Sequence, residues 1–115
     1  MRDSEAEREA ASRGATLGAA RVPLTVVEAC PEVAELCGRA RAAGMGASAS
    51  DAGVGAAMVR AAAVGAAMNV LINLRDLEGD AEAGELRSRA EAALRRTEEL
   101  SAAVEAEVWK RLGRE

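Results

Sequence analysis

The sequence predicts an all-α fold: an antiparallel bundle of three to four helices around a long Ala/Gly-rich central helix. Three observations carry that expectation. Residues 48–76, SASDAGVGAAMVRAAAVGAAMNVLINLRD, contain no proline and are apolar on most sides, as a core helix is. The segment that follows repeats apolar residues with heptad-like spacing. No stretch of the 115 residues alternates in the manner of a half-buried strand.

The first helix signal is Ser4–Glu7, whose SEAE spacing matches a capping box and predicts a helix through Ala20. Gly14 and Gly18 each weaken that helix by about 1 kcal/mol relative to alanine, so it needs a packing partner. Val22-Pro23 marks a boundary, with Pro23 suited to the first turn of a second helix. That helix directs Leu24, Val27, Pro31 or Ala34, and Leu36 or Cys37 toward the core. Pro31 removes an amide donor inside it and predicts a kink. Gly44 and Gly46 end it.

The central helix opens at Ser48, which can accept the amide of Asp51, and the Asp51 carboxylate falls in the positive first turn. The helix runs for about 27 residues, or about 40 Å. Asp51, Gly55, Met58, Ala62, Gly65, Asn69 and Asn73 lie within about 40° of one line along it. That stripe is small in the middle and polar at both ends. Its middle lets another backbone or a flat ligand come close, and Gly65 predicts such an approach because mid-helix glycine costs about 1 kcal/mol. Gly53, Ala57, Val64, Ala67 and Leu71 make the opposite face apolar too. Arg60 stands nearly alone among apolar neighbours, as a snorkelling or paired arginine or as a binder of an anionic group.

Residues 77–83 (LEGDAEA) read as a short acidic turn in which Asp80 caps the last helix. Leu86, Ala90, Ala93, Thr97, Leu100, Val104 and Val108 form the apolar seam of that helix. The short turn lays it antiparallel on the central helix.

Composition narrows the function classes. A net charge of −4 and a pI near 5.0 leave no basic stripe for nucleic acid. The start, MRDSEAERE, has no apolar run and is not a secretory signal peptide, so a cytoplasmic location is expected. Residues 52–74 approach membrane-spanning length, but Arg60 and two asparagines make them a poor span, and no membrane partner is expected. Cys30 and Cys37 are about 10 Å apart on one helix face, too far for a disulfide, and read as small core residues. With no histidine and no CxxC spacing, no metal site is expected. GMGAS lacks the preceding strand and the lysine of a phosphate-binding loop. An alanine-rich core buries little area per residue, so the chain should gain stability by assembling with a second copy or another chain.

The residues able to do chemistry are Ser50, Asp51, Asn69 and Asn73, on or near the small-residue stripe. Each has a structural reading as well: helix capping for Ser50-Asp51, interhelical hydrogen bonding for the asparagines. One helix separates Asp51 from Asn69 by about 27 Å. They therefore serve two sites, or a second copy packs head-to-tail and brings unlike ends together.

SASDAGVGAAM, followed by AAAVGAAMNVLINLRD, resembles the corresponding stretch of the cyclodeaminase domain of formiminotransferase-cyclodeaminase and its free-standing relatives, which include methenyltetrahydrofolate cyclohydrolases. RVPLTVVEACPEVAEL resembles that family's helix beginning with a VPL motif. The resemblance covers most of the chain and implies an all-α domain that assembles as dimers or larger rings. Residues 1–115 look like the C-terminal half of that domain, without its N-terminal glycine- and serine-rich helix. A separate N-terminal half or homo-oligomerisation is therefore expected.

The activity implied is closure of 5-formiminotetrahydrofolate to 5,10-methenyltetrahydrofolate with loss of ammonia. A tetrahydrofolate derivative is the substrate, with no permanently bound cofactor. The matching site positions are Asp51 as the catalytic group and Ser50, Gly53, Asn69 and Asn73 as substrate-binding residues. The alternatives are the cyclohydrolase reaction on the same carbon and a non-catalytic helical interaction module.

Overall fold

A computed structural model describes residues 2–43 and 47–113, with side chains for 4–43 and 49–113. Three long helices form it: α1 (Arg2–Ala43), α2 (Ala47–Leu74) and α3 (Ala81–Arg111). A single 3₁₀ turn, Arg75–Leu77, joins the last two. Among the described residues there is no strand. The bundle is a rod of 69 × 19 × 15 Å, with a radius of gyration of 18.8 Å where a compact chain of this length has about 13 Å.

The first two expected helices are one. α1 runs unbroken through Pro23 and Pro31, so Val22-Pro23 is not a boundary. Each internal proline forfeits a helical hydrogen bond and costs about 3 kcal/mol in isolation. Tertiary packing offsets this: Leu17, Ala20, Leu24, Val27, Cys30 and Ala34 form one continuous buried edge across both prolines. Helix α1 is already formed at Arg2, so Ser4 lies inside it and does not start it. Residues 4–15 are exposed and overhang the bundle. The Cys37 option holds for the core-facing edge, because Leu36 is exposed and Cys37 half-buried. Both cysteines are free thiols; Cys30 is buried, donates to the Val26 carbonyl at 3.2 Å, and its pKa is raised by that burial.

Helix α2 has the expected length but begins at Ala47, which puts Asp51 beyond the first turn. The expected Ser48 cap lies outside the described side chains, as does the 44–46 part of the GMGAS loop. By length and composition, one described segment, Ala49–Leu77, is able to cross a membrane. Here α1 and α3 pack along it. Arg60, in its middle, is held by Glu105 of α3 through two contacts of 3.3 Å, which is the paired-arginine reading. The hydrogen bond from Arg60 to Glu105 raises the arginine pKa further.

Helix α3 starts as the sequence indicates. Asp80 accepts the Ala83 amide at 3.0 Å, and Gly79, at φ +86, supplies the left-handed turn residue. Leu86, Ala90, Thr97, Val104 and Val108 of the seam are buried, and Ala93 and Leu100 pack half-buried against the core. Helix α1 runs parallel to α3, and ion pairs fix their register. Arg21–Glu82, Glu28–Arg89 and Glu35–Arg96 recur one heptad apart on both helices, at 2.6, 2.6 and 3.8 Å. Such exposed pairs add little stability each, but a slip of one turn breaks all three together.

Candidate functional site

Helix α2 is covered on one side only. Its alanines 52, 56, 63, 66 and 67, with Val59, Val70 and Leu74, are buried under α1 and α3. The other side is bare. The expectation that α2, apolar on most sides, is a core helix is thus corrected: among the described residues no fourth element covers it. Gly65 lies on the bare side, with nothing within 4 Å of where a Cβ would stand. Within one chain, no close approach explains it.

The site residues divide between two grooves. Between α1 and α2, one end of an open groove is lined by Val33, Leu36, Cys37, Ala40, Asp51 and Ala52. Farther along the same pair of helices, Val22, Pro23, Val26, Ala62, Asn69 and Asn73 line a second depression. Asp51 and the two asparagines therefore share a face. The unbroken helix between them keeps Asp51 and Asn69 about 27 Å apart. Asn73 donates its side-chain N–H to the Asn69 carbonyl at 2.7 Å, which leaves its Oδ1 free to accept.

Ser50 and Gly53 sit around the helix from Asp51. They line a small apolar cup with Val54, Ala57, Glu105, Val108, Trp109 and Leu112, between the start of α2 and the end of α3. Gly53 has a packing role there: a Cβ would meet Val108 at 3.1 Å. Gly55 is similarly close to Cys37 Sγ, at 3.1 Å. Sequence reasoning did not connect Trp109 with Ser50 and Gly53. The antiparallel order of α2 and α3, together with Val108 in the α3 seam, was the signal that could have done so.

Among the described residues, no three His, Cys, Asp or Glu side chains converge to hold a metal ion. The sharpest electrostatic feature lies at the other end of the rod. There the Arg13 guanidinium and the α3 amides hold the Asp80 carboxyl down at about 2. Asp80 is committed to capping and an ion pair, so it is a structural carboxylate.

The arrangement can do two things: bind a flat ligand along an apolar groove with hydrogen-bonding ends, or accept another helix. No curated protein and no solved structure matches the chain. The sequence model of one family does match, over residues 1–92, which takes in α1, α2 and the first part of α3. The chain belongs to the formiminotransferase-cyclodeaminase family.

Proposed function

We propose that this chain acts in folate one-carbon chemistry as a formiminotetrahydrofolate cyclodeaminase. The observation that carries the reading is the family match over residues 1–92, together with Asp51, Asn69 and Asn73 on one open face. In the reaction, N10 adds to the protonated formimino carbon and loses its proton. The tetrahedral carbon then expels its amino group, protonated to ammonia, and the 5,10-methenyl cation remains. That sequence requires one proton to move from N10 to the leaving nitrogen, and a negative charge beside the amidinium that forms.

Asp51 is the carboxylate in the constellation and suits both tasks. Asn69 and the free oxygen of Asn73 suit the amide and amino edges of a pterin, and Ser50 and Gly53 complete the expected binding set. Because Ser50 and Gly53 face a different groove from Asp51, a single substrate does not touch all five positions of one copy.

The test is turnover of 5-formiminotetrahydrofolate, followed by methenyl absorbance and released ammonia, with the parent chain and Asp51→Asn. The expected result is turnover that falls at least a hundredfold in the variant while folate affinity changes by a modest factor. Methenyl consumption without ammonia chemistry would identify the cyclohydrolase reaction instead. Neither turnover nor folate binding in any assembly state would leave a non-catalytic helical module, a reading favoured by the openness of both grooves.

A further inference from the structure

The groove that holds Asn69 and Asn73 has a second wall, and α1 supplies it. Gly55 of α2 stands against Cys37 of α1, which sets the register of this antiparallel pair. Eighteen residues farther along each helix, Ala19 lies level with Asn73; after fourteen, Pro23 lies level with Asn69. All four line one groove of about 450 Å³.

Pro23 changes what that wall offers. Inside a helix the Ala19 carbonyl would accept the amide of residue 23, and proline has no amide hydrogen to give. That carbonyl ends between Ala19 and Pro23, which both face the groove. Ala19 is exposed, and among the described residues no side chain donates to its carbonyl. On the opposite wall, Asn73 is pinned by its bond to the Asn69 carbonyl and presents Oδ1. Helices in contact lie about 8–10 Å apart, so one small ring reaches an acceptor on each wall. The Asn69 amide, one turn away, can donate. Val22, Val26, Ala62 and Ala66 give apolar flanks, and the residues that line the groove are all uncharged.

We infer that Pro23 is a specificity-determining position: by freeing the Ala19 carbonyl, it makes this groove select a flat, neutral heterocycle whose exocyclic amino group adjoins a ring N–H. The two neighbouring donors meet the two acceptors, and a ring carbonyl beside them meets the Asn69 amide. The 2-amino-4-oxo edge of a pterin carries its groups in that order, so the assignment rests on the folate reading above and deepens it. A ligand without the amino group leaves an acceptor unpaired and is rejected for that reason. Pro23 acts through Ala19 and is a positioning residue.

Pro31 serves as the control within the same helix. It too removes an amide from the interior of α1 and frees the Val27 carbonyl. Val27, however, is fully buried, and neither residue lines the groove.

The experiment is calorimetric titration of the parent chain, Pro23→Ala and Pro31→Ala with two probes. One is pterin, and the other is its analogue with a methyl in place of the 2-amino group. The parent should bind pterin at least tenfold more tightly than the methyl analogue. Pro23→Ala should lower that ratio about fivefold, because the returned amide engages the Ala19 carbonyl. Loss of the ring from the wall weakens both probes alike and leaves the ratio alone. Pro31→Ala should keep the parent ratio. Both variants should melt no lower than the parent, since each regains a helical hydrogen bond. A parent that binds neither probe, or binds both equally, overturns the proposal. So does a ratio unmoved in Pro23→Ala or lowered equally in Pro31→Ala. Turnover of the formimino substrate with the ratio unmoved sinks this proposal alone. The expected ratios without turnover uphold it and sink the cyclodeaminase reading.

Discussion

The two sides of α2 invert the usual order of burial. Under α1 and α3 the helix mostly presents alanines, whereas Val54, Met58, Met68 and Ile72 stand in solvent. An alanine interface lets three backbones close tightly but releases little apolar area, at about 25 cal/mol per Å². The larger hydrophobic gain available to α2 is therefore unused within one chain. The covered side sets the shape of the rod, and the bare side leaves the larger apolar side chains of α2 in solvent.

The largest break in that comparison is Leu74→Ala on the covered side. Leu74 is fully buried at the foot of the main cluster, and its loss should cost about 2–5 kcal/mol in urea unfolding. Met58→Ala on the bare side should change the midpoint of the monomeric chain by no more than about 0.5 kcal/mol. Equal effects at the two positions would mean that the sides do not differ as described.

The next effect tests the tightness of the α2–α3 contact. Gly53→Leu must displace Val108, and overpacking of this kind costs about 1–3 kcal/mol. Gly65→Leu meets nothing within the chain. It should keep the helix content and raise the midpoint, by the equivalent of up to about 1 kcal/mol, because leucine removes the helix cost of glycine. Loss of the fold itself would show that Gly65 is enclosed by its own chain.

Ser101 sharpens the covered side further. Its hydroxyl is buried without a hydrogen-bond partner among the described residues. Ser101→Ala should raise the thermal midpoint, by the equivalent of about 1 kcal/mol, because the orphan hydroxyl is removed at little loss of volume.

The smallest effect concerns the α3 cap and is read by pH. The Asp80 carboxyl is lowered from 3.8 to about 2 by the Arg13 hydrogen bond first and the Ala83 amide second. A depressed acid stabilises the fold above its unfolded value and loses that contribution as pH falls toward the folded value. Asp80→Ala should therefore melt below the parent at pH 6, and the gap should close between about pH 4 and pH 2. A gap independent of pH would remove the ionised cap from the account.

Legibility in the sequence followed locality. The seam of α3, the Asp80 cap and the length of α2 depend on residues within a turn or a heptad of each other, and all three stand in the structure. So does the pairing of Arg60, since a lone guanidinium in an apolar helix needs a partner. The motif around Ser50-Asp51 and Asn69–Asn73 was enough to identify the family, because it rests on residue types and not on packing.

Tertiary structure alone decided three things. It carried α1 through Pro23 and Pro31, because a buried edge shared by both halves outweighs two lost hydrogen bonds. It parted Ser50 and Gly53 from Asp51, because neighbours on one helix point 100° apart and α3 covers one of the directions. It also chose the bare side of α2. A helix that is apolar all round has no phase in its sequence, so which side is buried is settled by where its neighbours pack.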